Sequence, residues 1–428
     1  MNVLILGSGG REHAFAWKIG QSPLCDTLFI APGNAGTALV GTNLPVSPTD
    51  FPAVADAVRT CGIDLLVVGP EEPLVKGVVD YLRRQPDLLH LRIVGPDARG
   101  AQLEGSKDFS KQFMQRYGIP TAQSRTFAAD TLDEGLAYLQ THALPVVLKV
   151  DGLAAGKGVV IADTLDTAQA TLRDMLSGQA FGEAGQKVVV EQFLRGIELS
   201  VFVLTDGEHH KMLPEAKDYK RIGEADTGPN TGGMGAVSPV VFANESFLRK
   251  VADKVIKPTL AGLRQEGIRY QGFIFIGLMK VNGEPYVIEY NARMGDPETE
   301  VVLPRIQTDF VELMTATADG TLDAITMQIS PQTAVTTVVV SGGYPDAYER
   351  GKIISELERL EDVTAFHAGT LAQNGHVLTN GGRVLALTAQ ANSLENAVRK
   401  SQEAARTVQF DGKQYRKDIG LDLIRYAD

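Results

Sequence analysis

Within the first 104 residues, four short apolar runs alternate with amphipathic stretches. Val3–Gly7, Thr27–Ala31, Asp64–Gly69 and Arg92–Gly95 read as buried strands, and helical patterns fall near 11–20, 50–60 and 73–84. Strand and helix in strict alternation force a parallel sheet covered on both faces, because a parallel crossover needs a helix to return the chain. Ligands of such sheets sit at the carboxyl ends of the strands. The loops there read GSGGREH, APGNAGT and GPEEPL.

The remaining residues divide by pattern. A helix is expected over 105–122, with Ser106 as N-cap and Gly118 past its end. Residues 123–192 form a smaller α/β unit with strands near 146–150, 158–162 and 187–193. A mixed segment, 194–327, contains FIFIGLMKV and EPYVIEYN joined by Asn282-Gly283, a strong hairpin signal. Residues 328–428 are strand-rich and close with a helix near 393–408. The expected units are therefore 1–104, 105–327 with a lid at 123–192, and 328–428.

Composition narrows the function. The chain has 428 residues, 44% hydrophobic and 22% charged, with a net charge of −11. That acidity argues against non-specific nucleic-acid binding and against an anionic membrane surface. No run is long enough for a membrane helix, and the start lacks the basic and apolar regions of a signal peptide. Cys25 and Cys61 stand apart from any metal-ligand spacing. A cytoplasmic location is expected.

Three glycine-rich loops deserve comparison with known phosphate binders. GSGGRE fails the dinucleotide pattern, because Glu12 stands at the third glycine position. Bare amides opening a helix still suit a phosphate, with Arg11 beside them. KVDGLAAGKGVV fails the P-loop pattern, because Gly152 and Gly156 are too close and Gly158 follows Lys157. Lys149 and Lys157 flanking a glycine turn suit a lid over a polyphosphate. TGPNTGGMGAVSP reads as an ordered loop at a site.

The stretch VIEYNARMGDPETE ends an apolar strand in polar groups. Simple alternation puts Val287, Glu289 and Asn291 on one face, with Ile288 and Tyr290 on the other. Glu289 and Asn291 offer hard oxygen ligands for Mg2+, and Arg293 could stabilise charge on a transferring phosphoryl group.

With these residues in hand, the chain resembles the glycinamide ribonucleotide synthetases of the ATP-grasp superfamily. GGREHA, APGNAGT, LEGSK, DGLAAGKGV, DTGPNTGGMGA, RMGDPETE, FHAGT and TNGGRVL carry the likeness from residue 9 to residue 385. The resemblance implies an ATP-grasp fold with an N-terminal parallel-sheet domain, a small lid and a strand-rich C-terminal domain. It implies ATP-dependent joining of glycine to 5-phosphoribosylamine, with Mg2+ or Mn2+, in purine biosynthesis. Lys107, Lys149, Gly156 and Lys157 would meet ATP phosphates. Glu191, Gln192, Phe193 and Leu194 would hold the adenine, and Glu198 the ribose. Glu289 and Asn291 would bind metal; Arg293 and Lys149 would be catalytic. Many relatives place another acid on the first strand of the metal hairpin, where this chain has Gly277. Gly9, Gly10, Arg11, Glu12, Glu71 and Arg383 are expected around phosphoribosylamine, with Asp296 holding an amine. The partners are small molecules, and a monomer or weak homodimer is expected. The alternatives are another ATP-grasp ligase or carboxylase, a dinucleotide-dependent oxidoreductase, or a nucleotide sensor. The oxidoreductase lacks the third glycine, and a sensor has no use for Arg293.

Overall fold

In the computed structural model, residues 1–154, 158–177, 182–424 and 426 are described. Five parallel strands form the first sheet, in the order 42–43, 27–32, 2–7, 65–68, 92–94. The first strand lies in the middle, so the loop after Gly7 opens where the strand order reverses. The helix Phe51–Cys61 is capped by Asp50, which accepts from the Ala53 amide, and it stops at Gly62 with φ 58. The single helix expected near 73–84 is instead two, Glu71–Val75 and Val78–Arg83. Gly77 separates them at φ 87, a left-handed conformation that no helix interior accommodates.

Ser106 caps the helix Lys107–Arg116 by accepting from the Phe109 amide. The unit expected to be a lid is a four-stranded antiparallel sheet, in the order 124–128, 187–192, 146–150, 159–162, covered by the helices Leu132–Thr141 and Leu165–Leu176. Phe127, Leu148, Leu172 and Val190 belong to a core of its own, apart from the main one. A second antiparallel sheet joins His210–Met212, Ile197–Thr205, Gly272–Val281 and Glu284–Asn291.

The C-terminal sheet runs in the order 217–218, 235–238, 333–340, 383–391, 363–367, with the helix Leu394–Thr407 packed on it. Two of its strands therefore come from the middle of the chain. The segment between them carries the third glycine-rich loop. The main core runs without a break from one face of the first sheet through the sheet that ends in Glu284–Asn291 and the C-terminal sheet.

Candidate active site

Asn282 and Gly283 adopt φ 50 and 79, the paired positive values that a two-residue hairpin with matching twist requires. Gly277 pairs with Glu289, but Leu278 pairs with Val287. Ile288 is thus an extra residue, a β-bulge. It corrects the simple alternation read from the sequence. Val287 and Tyr290 both enter the main core, while Glu289 and Asn291 stay on the other face. A Cβ at Gly277 would lie 3.1 Å from Glu289 Cγ, so the missing side chain leaves the carboxylate its room.

The lid reaches this hairpin through Lys149. Its ammonium donates to the Ile288 carbonyl at 3.3 Å and pairs with Glu191 Oε2 at 3.1 Å. Lys111, which sequence reasoning passed over, pairs with the same oxygen at 3.2 Å and donates to Thr121 Oγ1. All three charged side chains are buried. Burial pushes the Lys111 ammonium down to about 8, against the pull of Glu191. Glu191 Oε1 is buried with no hydrogen-bond partner. Lys107 donates to the Gly152 carbonyl. The strand ladder continues through Gln192, whose amide N–H goes to the Gln123 carbonyl. Phe193 and Leu194 follow the strand's end. Gly156 and Lys157 lie outside the described residues.

Positive charge governs the metal-ligand candidates. Burial opposes ionisation of Glu289, yet Lys220, Lys149, Lys107 and Arg293 together hold its pKa below the usual value. Lys220 was not foreseen. It reaches Glu198 Oε2 at 3.3 Å, and the charges of Glu198 and Asp218 raise its own pKa well above normal. The Asn291 side-chain nitrogen is buried with no partner. Among the described residues, no three His, Cys, Asp or Glu side chains converge as a metal-binding group. Glu289 and Asn291 are thus a two-residue oxygen set, which suits a hard cation that keeps water and phosphate in its shell.

Arg293 sits at the mouth of the first domain. It pairs with Glu104 at 2.7 Å and Glu71 at 3.3 Å. Burial pushes the Glu104 carboxyl up to about 7 in spite of Arg293. Burial acts on Glu71 too, but Arg293 and Arg11 overcome it and hold that carboxyl down at about 2. Glu104 was also missed, although it stands within LEGSK. Its contact with Arg293 spans most of the ATP-grasp segment, and no local pattern signals it.

The glycine turn after Gly7 is more closed than expected. Glu12 is 2% exposed; its Oε2 accepts from the Gly9 amide at 2.6 Å and its Oε1 from Arg11 Nε at 2.7 Å. A Cβ at Gly7 or Gly69 would strike it, at 2.4 and 2.2 Å. Those glycines admit the carboxylate inward, and Glu12 closes the turn. Arg11 is likewise buried and donates to the Met294 carbonyl. Its guanidinium joins Glu12 to the segment after the hairpin. Asp296 accepts from the Arg11 amide at 3.2 Å and pairs with Arg383 at 3.0 Å. Arg383 also donates to the carbonyls of Gly232 and Asp296. The glycine-rich loop, the hairpin end and the C-terminal domain therefore meet at one corner. His13, Asn34 and His367 tie the first and last domains beside it. His13 Nδ1 accepts from the His367 amide at 2.7 Å, and Asn34 donates to the His367 carbonyl.

The bulged hairpin ending in Glu289 and Asn291, with Lys107, Lys149, Lys220 and Arg293 acting on the same carboxylate, belongs to an ATP-grasp ligase. Residues 1–104, 105–299 and 334–422 match the N, ATP-grasp and C domains of phosphoribosylglycinamide synthetase, and the chain belongs to that family. It is 47% identical over 431 residues to phosphoribosylamine–glycine ligase of Escherichia coli strain K12, with 99% of each chain covered. The Vibrio cholerae protein of the same name is also 47% identical, over 429 residues. The crystal structure of phosphoribosylamine–glycine ligase from Thermotoga maritima matches with a TM-score of 0.86 at 36% identity, covering 98% of this chain and all of that one. A biotin carboxylase from Campylobacter jejuni shares the fold, with a TM-score of 0.74 at 14% identity.

Proposed function

We propose that the protein joins glycine to 5-phosphoribosylamine at the expense of ATP, giving glycinamide ribonucleotide, ADP and phosphate. The observation that carries this reading is the end of the strand Glu284–Asn291. There three lysines and Arg293 hold the half-buried Glu289 carboxyl below its usual pKa. ATP is a polyanion whose phosphates these cations would bind.

A carboxylate oxygen of glycine attacks the γ-phosphorus, and ADP leaves. The amine of phosphoribosylamine then attacks the carbonyl carbon of the glycyl phosphate. The carbon–oxygen bond breaks, inorganic phosphate departs, and the nitrogen loses a proton. Glu289 and Asn291 would hold Mg2+ or Mn2+, which neutralises charge on the transferring phosphoryl group when bound. Lys107 and Lys149 bind phosphate oxygens, and Arg293 stabilises the phosphoryl group in flight. Glu191, Phe193 and Leu194 receive the adenine. Glu198 faces the ribose. Gly9, Gly10, Glu71, Asp296 and Arg383 surround phosphoribosylamine, with Asp296 placed for an amine and Arg383 for the phosphate. The glycyl phosphate must be kept from water, and closure of the lid serves that end.

A monomer or weak homodimer is taken as the working unit. Among the described residues no helix is long and apolar enough to cross a membrane, in keeping with a cytoplasmic enzyme. The test is ADP release measured by a coupled assay with each substrate omitted in turn. Release that needs both glycine and phosphoribosylamine supports the reading. Release that ignores glycine overturns it.

A further inference from the structure

Glu300 lies one turn beyond Asp296, in the short helix Thr299–Val302. It is 0% exposed, and neither carboxyl oxygen has a hydrogen-bond partner. A Cβ on Gly10 would lie 2.3 Å from Glu300 Oε1. The glycine turn thus rests on this carboxyl, which explains the need for glycine at residue 10 better than a turn conformation does.

The charges that act on Glu300 are few. Asp296 and Glu298 come from its own segment, and Arg383 from the C-terminal strand. The other cationic and imidazole groups on the elements packed around it are engaged elsewhere, although Arg305 Nε is buried with no partner. Arg11 holds Glu12, His13 holds the His367 amide, and Arg305 holds Ser238 and the Ser330 carbonyl. A buried carboxylate with no hydrogen bond is costly, so the group stays protonated. Burial first, and then the charge of Asp296, raise its pKa well above the usual carboxylate range, while Arg383 pulls the other way.

We propose that Glu300 is a positioning residue for the phosphoribosylamine pocket: while its buried carboxyl is neutral, Arg383 stays committed to Asp296, and when it ionises it competes for that guanidinium. The proposal rests on the reading that Asp296 and Arg383 line this pocket. Ionisation would place a further negative charge beneath Gly10 and beside Asp296. The arginine would turn inward, away from the substrate phosphate.

The test is the Michaelis constant for phosphoribosylamine between about pH 6.5 and 9.5, for wild type, Glu300→Gln and Arg383→Ala, with the constant for ATP as control. Wild type should show an alkaline rise of about fivefold or more that Glu300→Gln lacks. Titration of the substrate's own amine affects both enzymes alike and cancels in the comparison. Thermal unfolding gives a second readout. A carboxyl whose folded pKa is raised contributes stability below its unfolded pKa and loses it as pH climbs toward the folded value. Glu300→Gln should therefore gain on wild type in melting temperature as pH rises above about 4.5. A parallel alkaline rise in Glu300→Gln, or a gap in melting temperature that ignores pH, overturns the proposal. Arg383→Ala that leaves the phosphoribosylamine constant untouched sinks the pocket assignment itself, which is a separate failure.

Discussion

Two corners of the cleft bury charge in opposite ways. At the lid, Lys111 and Lys149 share one oxygen of Glu191 and leave the other without a partner. Where the end domains meet, Arg11 closes on Glu12 and Arg383 on Asp296. The lid corner has spare charge of one sign and an idle acceptor. The domain corner pairs each of these arginines with a carboxylate. A tetra-anionic nucleotide has to be drawn in, and surplus lysines draw it. Phosphoribosylamine carries a phosphate and an amine, so a paired cation and anion can each exchange an internal partner for one on the substrate. Exchange of this kind favours selectivity over raw attraction, because an unmatched ligand leaves one buried charge unpaired.

Changes on the charged side should cost most. Glu289→Ala should lower kcat by about 10² to 10³ or more while the fold survives, since the carboxylate faces the cleft and not the core. Near-normal turnover at limiting Mg2+, with an unaltered circular dichroism spectrum, would remove Glu289 from the metal site. On the paired side, Arg383→Ala should raise the Michaelis constant for phosphoribosylamine about tenfold, as loss of a charge-assisted hydrogen bond requires, and leave that for ATP nearly alone. A change in the ATP constant alone would turn the comparison around.

Glu198→Gln sharpens the contrast further. It should weaken ATP binding by something under about tenfold and glycine binding hardly at all, as calorimetry can show. Equal losses would mean that Glu198 mainly serves Lys220.

The smallest effect concerns stability at the domain corner. Burial, helped by His367, holds the His13 pKa down at about 3, and burial holds His367 at about 4. A histidine depressed in the fold contributes fully above its unfolded pKa, and the contribution fades as pH falls. Between pH 7.5 and 6 each should cost about 0.8 kcal/mol in urea unfolding, and His13→Gln should flatten that slope. An unchanged slope would show that the histidines already titrate in the native state.

How much of this was visible beforehand depends on the range of the interaction. The Asn282-Gly283 turn, the Ser106 cap and the first-sheet strands are written in residues next to one another, and their positions follow from the sequence. The bulge at Ile288 is not, because it arises from pairing with Gly277 and neither strand alone announces it. Glu104 and Lys220 became legible only once distant segments were brought together. The internal contacts of Glu12 and Arg11 were hidden for the same reason: the room left by Gly69 and the Met294 carbonyl come from distant segments.

The strands 217–218 and 235–238 pair into a sheet whose central strand is Thr333–Val340. During synthesis the segment carrying Asp218, Lys220 and the glycine-rich loop leaves the ribosome well before that strand exists. A nascent chain can finish the lid and the first sheet, yet the floor of its cleft waits for the C-terminus. The protein is thus a poor candidate for cutting into modules. A fragment ending after the ATP-grasp segment would keep the metal ligands but expose an unpaired strand edge, the kind of edge that invites aggregation.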